Sequence, residues 1–289
     1  MPENQIAIGG QAVIEGVLMR SQTAWAIAVR NPQKEIVLKK KDEIPWTKKY
    51  KILGLPIIRG VVTLIETFRL GVMAINYSAN INLEDQNEQI TKNEFIVSMV
   101  VSFGVAILLF IVTPAFIFTQ LKGFGINIIL LNLIEGLIRI CIFLSFLFAV
   151  SLMPDMKRVF EYHGAEHMAV HLWDETNDKS QLTVENAKRH KTLHPSCGTS
   201  FVLIVLIVSI VVFAFLGRPS LLTRIALKVA LLPLIAGVSY EIIRIARRKN
   251  APFIFKMLVA PGMLLQYITT KPPRDDQIEV ALESLKAVL

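Results

Sequence analysis

EYHGAEHMAVHLWDETNDKSQLTVENAKRHKTLHPSCGT, residues 161–199, holds all five histidines of the 289-residue chain (His163, His167, His171, His190, His194) and one of its two cysteines, Cys197. Two long apolar runs precede this stretch and two follow it. It is therefore a polar loop between membrane spans, and the rest of the chain is organised around it.

Apolar residues make up 53% of the chain and the mean hydropathy is +0.51, well above an ordinary soluble domain. The net charge of +8 fits positive loops facing an anionic membrane leaflet, so nucleic acid need not be invoked. Cys141, inside an apolar run, and the distant Cys197 do not form a disulfide framework. The start, MPENQIAIGG, lacks the basic and apolar regions of a cleavable signal peptide.

Upstream of the loop, residues 6–40 read as a small β element. Trp25, Ile27 and Val29 alternate with Ala26, Ala28 and Arg30, and Asn31-Pro32 turns the chain. Gly9-Gly10 and Gly16 bracket QAVIE, where glycine permits bulges or close backbone approach. Glu15 and Arg20 lie in this segment and could cover the central site. Residues 52–80 are apolar but carry Arg59, Glu66 and Arg69 within roughly an 80° arc of a helix. Such a stripe suits a helix in the interface or against other helices, and 81–93 is a polar connector.

Residues 95–119 form the first clear span, 25 residues without a charge, with Pro114 placed to kink its far end. The second, 126–153, carries Glu135 and Arg139 on one face near its middle. Ionisable groups at that depth predict mutual pairing, as a structural ion pair or as part of a relay. After the loop come a short third span, 201–216, and a fourth, 221–245, where Arg224 and Lys228 are placed to snorkel outward. Residues 251–268 contain Pro252, Lys256 and Pro261-Gly262 and read as a re-entrant or interfacial segment. An amphipathic helix over 278–289 closes the chain.

The fold class is thus a predominantly α-helical polytopic membrane protein, with about four transmembrane helices, interfacial or re-entrant helices and a small N-terminal β element. Its segments are 1–51, the β-rich element; 52–94, the amphipathic helix and connector; 95–153, spans one and two; 154–199, the His-rich loop; 200–245, spans three and four; and 246–289, the interfacial segment and tail. Twelve Lys/Arg precede residue 95, six lie in the central loop and seven in the tail, against Lys122 and Arg218 in the short turns. The positive-inside rule then puts both termini and the loop in the cytoplasm.

His163-Gly-Ala-Glu166-His167 is an H-x-x-E-H pattern. On a helix the two histidines differ by roughly 40° and Glu166 sits about 60° from His163, so both imidazoles reach one metal beside a carboxylate. Zinc peptidases use this pattern with the glutamate as general base. His171 lies one turn further, a weaker ligand candidate. His194-Pro-Ser-Cys197 adds a second pair at the start of the third span, where a helix N-terminus favours the thiolate that zinc prefers. His163, His167, His194 and Cys197 could close one site for a divalent metal, zinc before iron, nickel or cobalt. Glu241 is a further ligand or the partner of Arg244. Three readings of the cluster stand at this point: polar groups capping helix ends, a four-ligand structural metal, or a catalytic centre with Glu166 as base.

Taken together, GGQAVIEGVLMR, PIIRGV, EYHGAEHMAV, HPSCGTSF, PLIAGVSYE, PGMLLQYITT and DDQIEVALESLKAVL resemble the bacterial YqhQ-like family, catalogued as a domain of unknown function and described as a metal-dependent enzyme. The resemblance spans nearly the whole chain. It implies a bacterial inner-membrane protein with metal candidates at His163, Glu166, His167, His194 and Cys197, and it supplies no reaction. Two functions are expected to compete. One is a membrane hydrolase acting at the cytoplasmic face on a peptide or lipid-derived substrate. The other is a scaffold whose structural metal pins the β element to the helices, with lipid and a translocation or ribosomal component as partners. Transport, drawing on Glu135 and Arg139, is the weakest, because four spans without an internal repeat do not suit it.

Overall fold

The computed structural model describes residues 8–83, 91–195, 197–246, 248 and 251–289; the first seven residues and most of the expected polar connector lie outside these. Four strands come first: β1 (Gly9–Val13), β2 (Gly16–Arg20), β3 (Ala24–Arg30) and β4 (Ile36–Asp42). They are followed by α1 (Trp46–Lys49), α2 (Ile58–Leu83), α3 (Lys92–Ile107), α4 (Thr113–Leu121), α5 (Ile128–Ser151), α6 (Pro154–Thr176), α7 (Val184–Ala187), α8 (Gly198–Phe213), α9 (Leu221–Ala246), α10 (Phe253–Thr269) and α11 (Asp275–Val288).

The strands form an antiparallel meander, β1-β2-β3-β4. Met19 lies opposite Ala26 and Leu18 opposite Ile27, so the period of two sorts the side chains into two sets. Both sets are apolar. Val17, Met19, Ala26 and Ala28 pack with Tyr162, Ala165 and Ala169 of α6 and Ile278 and Leu282 of α11. Val13, Leu18, Trp25, Ile27 and Val29 pack on Leu70 and Ala74 of α2. The N-terminal β element is therefore sandwiched between helices. The amphipathic C-terminal helix expected from sequence is one of its covers, with Asp275 and Asp276 in its first turn, where carboxylates suit the helix dipole.

The charged stripe of α2 faces protein. Arg59 binds Glu241 of α9 at 2.6 and 2.5 Å, the buried Glu66 pairs with Arg20 at 3.2 Å and accepts the Trp46 N–H at 2.9 Å, and Arg69 pairs with Glu43. Glu241 thus pairs chiefly with Arg59 and only distantly with Arg244, at 3.9 Å.

Among the described residues, three helices are long and apolar enough to cross a membrane: Asn93–Phe124, Ile128–Ser151 and Leu221–Ala246. The expected third span appears as α8, only 16 residues, below the roughly 20 that a span needs. The expected re-entrant or interfacial segment, 251–268, appears as one helix, α10 (Phe253–Thr269), packed on α8 and α9.

Pro114 shapes the first long helix. Lacking an N–H, it leaves the Phe110 carbonyl without its helical donor, and residues Leu108–Val112 relax into a π-helical turn. The guanidinium of Arg139 fills the vacancy, donating from Nε to that carbonyl at 3.1 Å. Glu135 meets Arg139 at 3.5 Å, as expected, but also Arg224 at 2.5 Å and Lys228. Arg224 and Lys228 do not snorkel: they are 0% and 1% exposed. The Glu135 carboxylate, inside the apolar bundle, outcompetes the helix end as their partner.

Candidate metal centre

α6 is the helix that the H-x-x-E-H spacing predicts. Its face bearing Glu166 and His167 turns inward, beneath β1. Two close approaches position it. A Cβ on Gly164 would stand 2.2 Å from the Lys271 carbonyl, so glycine lets the segment after α10 lie directly on α6. The Lys271 N–H donates to the Phe160 carbonyl at 2.9 Å. At Gly10, a Cβ would stand 2.7 Å from Cγ of Glu166, so β1 crosses α6 at its barest point.

His163 donates Nδ1–H to the Thr269 carbonyl at 2.8 Å, and His167 donates Nδ1–H to the Thr192 carbonyl at 2.5 Å. Both bonds leave Nε2 as the free lone pair. His163 Nε2 lies 3.1 Å from Cys197 Sγ. His167 Nε2 is buried without a hydrogen bond of normal geometry, beside the same sulfur. One donor atom from each of His163, His167 and Cys197 falls within 4.8 Å of the others. Cys197 is the N-cap of α8, its Sγ accepting from Thr199 N, so the sulfur sits at the positive end of the helix.

His194 is not brought into this group of three. Its Nε2 is 3.4 Å from Asp174, and its main chain is clamped by Gln266, which accepts from His194 N at 2.8 Å and donates to its carbonyl at 2.9 Å. His171 donates to the Leu193 carbonyl at 2.7 Å and His190 faces Glu175, so these two line the far side of the loop. Glu15 and Arg20 are engaged elsewhere, with Arg158 and Glu66 respectively.

Glu166 lines the same cavity of about 300 Å³ as His163, His167 and Cys197, and is not part of the ligand group. It is 6% exposed, accepts the Gly10 N–H, and its Oε2 has no partner. Desolvation pushes its carboxyl up to about 7, against the smaller opposing effects of His163 and Gly10. Burial also pushes the His167 imidazole down, keeping it neutral as a ligand must be. Two buried polar atoms left open beside a thiol, with imidazoles aimed by main-chain carbonyls, fit a divalent metal of the zinc type. Sequence reasoning missed the Thr192 and Thr269 carbonyls and Gly10: main-chain groups carry no side-chain signature, although the Gly9-Gly10 pair marked a place of close approach.

Fold and site together define a mostly helical protein with three candidate membrane-crossing helices, a small antiparallel sheet and a His/His/Cys cluster between them. The chain belongs to the family described as protein of unknown function DUF1385, which matches residues 55–289. It is also similar to the uncharacterized protein YqhQ of Bacillus subtilis strain 168, at 32% identity over 296 residues, covering 98% of this chain and 92% of that protein. No solved structure matches it.

Proposed function

We propose that this protein is a metal-dependent hydrolase of the bacterial inner membrane, with its site on the cytoplasmic side and zinc as the metal. The observation that carries the reading is the pair of Nδ1–H bonds to Thr269 and Thr192, which hold both imidazoles with Nε2 toward Cys197. His163, His167 and Cys197 would hold the ion. When bound, zinc supplies Lewis-acid polarisation of the substrate and activates water. Three protein ligands leave a position open, the arrangement of catalytic rather than structural zinc. Glu166, outside the ligand group and with Oε2 free, takes the proton from the attacking water and passes it to the leaving group. The diversion of His194 toward Asp174 counts against a closed four-ligand staple. Lipid surrounds the apolar helices, and the basic loops face the anionic cytoplasmic leaflet.

The test is metal content per chain of detergent-purified protein. About one equivalent is expected in wild type and in Glu166→Gln, and about a tenth of that or less in His167→Ala and Cys197→Ala, as for three ligands of one ion. A metal-free wild type overturns the reading. Loss in Glu166→Gln as well would make Glu166 a ligand and favour the scaffold.

A further inference from the structure

β1 is an edge strand. Val13 and Gly16 close the β1–β2 hairpin as a hydrogen-bonded pair, so along β1 the main-chain groups of Val13, Gln11 and Gly9 point toward β2. Those of Ala12 and Gly10 point outward. The Gly10 N–H confirms this parity by donating outward to Glu166. The Gly10 carbonyl and the Ala12 N–H and carbonyl have no partner among the described residues. An open strand edge is a template for another extended chain.

Space follows the same edge. The 300 Å³ cavity of the His/Cys cluster is lined by Gly9 and Gly10. So is a second cavity, of about 320 Å³, that also touches Cys197 and opens among Leu64, Phe201 and Ile243 of the apolar helices. So is a third, of about 290 Å³, with the polar lining of Gln11, Thr63 and Thr67. Gly9 has nothing within 4 Å of where its Cβ would be. Three cavities thus meet at the glycine end of the strand edge, one reaching the apolar helices and one the candidate metal centre.

We propose that the free edge of β1 takes an apolar, extended polypeptide segment as an added strand, and that this is the substrate class of the site. The Gly10 and Ala12 carbonyls, without a partner among the described residues, can accept from N–H donors at strand spacing. A polypeptide supplies them; the ester groups and acyl chains of a lipid supply none. Apolar side chains of the segment enter the arm at Leu64, Phe201 and Ile243, which selects a stretch drawn from the membrane. The cleavage step rests on the hydrolase reading, whereas strand addition does not. In it, water adds to a peptide carbonyl carbon and the C–N bond breaks. Glu166 carries the water proton to the leaving nitrogen, giving a carboxylate and an amine.

The test uses the full chain in phosphatidylglycerol-containing nanodiscs. The probes are an eight-residue Val/Leu peptide with a central benzoylphenylalanine, its copy N-methylated at alternate amides, and a phosphatidylglycerol with a photoreactive acyl chain. Photolabelling of residues 8–12 by the first peptide is expected, falling about tenfold or more on N-methylation, as loss of main-chain bonds requires. Gly9→Ala adds a Cβ in open space at the shared lining, and Gly9→Leu extends it into the cavities; labelling should fall from the first to the second while metal content and thermal midpoint stay at wild-type values. Equal labelling by the N-methylated peptide, or labelling of residues 8–12 by the lipid that the peptide does not compete away, overturns strand addition. Metal-free protein with N-methyl-sensitive labelling sinks the hydrolase reading and leaves strand addition standing. Metal-loaded protein that ignores the peptide does the reverse.

Discussion

Two buried carboxylates, Glu166 and Glu135, sit at opposite ends of the apolar helices in opposite conditions. Glu135 is 2% exposed and serves three cations: Arg139, Arg224 and Lys228. The two arginines are satisfied in turn by Ser209 at 2.9 Å, the Phe110 and Gly217 carbonyls, Asn132, and the rings of Phe118 and Phe213, and Lys228 lies over the Phe213 ring. Glu166, almost as buried, has no cation in contact, one main-chain donor and an open oxygen facing a cavity. A carboxylate ringed by three cations fixes helices in place. One kept short of partners is costly to the fold and free to handle a proton. Burial alone does not distinguish a staple from a working acid; the count of partners does.

Removing the two carboxylates should separate these roles. Glu166→Gln is expected to keep its metal and its thermal midpoint and to lose about 10²- to 10⁴-fold in cleavage of the peptide probe, the usual worth of a general base. Full activity in that variant would erase the contrast. Glu135→Ala strands three buried cations and should cost about 3–5 kcal/mol, read as a lowered denaturation midpoint in detergent, with metal content of the folded fraction unchanged. An unaltered midpoint would show that the network is not a staple. Gly10→Ala drives a methyl to 2.7 Å from Glu166 Cγ. It should cost about 1–3 kcal/mol and shift the base, reducing turnover while metal stays bound. The smallest effect belongs to the half-buried Arg59–Glu241 pair, where Glu241→Gln should change stability by about 1 kcal/mol or less in a chemical melt.

The pieces of chemistry closest in sequence were the most legible. His163, Glu166 and His167 share a helix, so their spacing alone aligned them, and Cys197 announced itself by its place before an apolar run. The alternation at 25–30 marked a strand, but not that both of its faces are covered, since that depends on α2 and α11 arriving from either side. Proximity in the chain groups His194 with the other candidates and does not reveal Asp174 or Gln266. Sequence points Arg224 and Lys228 outward because a helix taken alone offers a lysine only its own end. Their partner, Glu135 on α5, lies 89 residues before Arg224. An acid and three bases distributed over otherwise apolar runs was the available signal.

The Thr269 carbonyl that aims His163 lies 106 residues further along the chain, and the strand crossing Glu166 lies more than 150 residues before it. Helix α6 carries His163, Glu166 and His167 from the moment it forms, yet His163 is not aimed until α10 has docked, nor Glu166 held until β1 has crossed it. Such distant contacts form late in folding. The cluster is accordingly a seal on the finished molecule, assembled only after the bundle and the sheet have found each other.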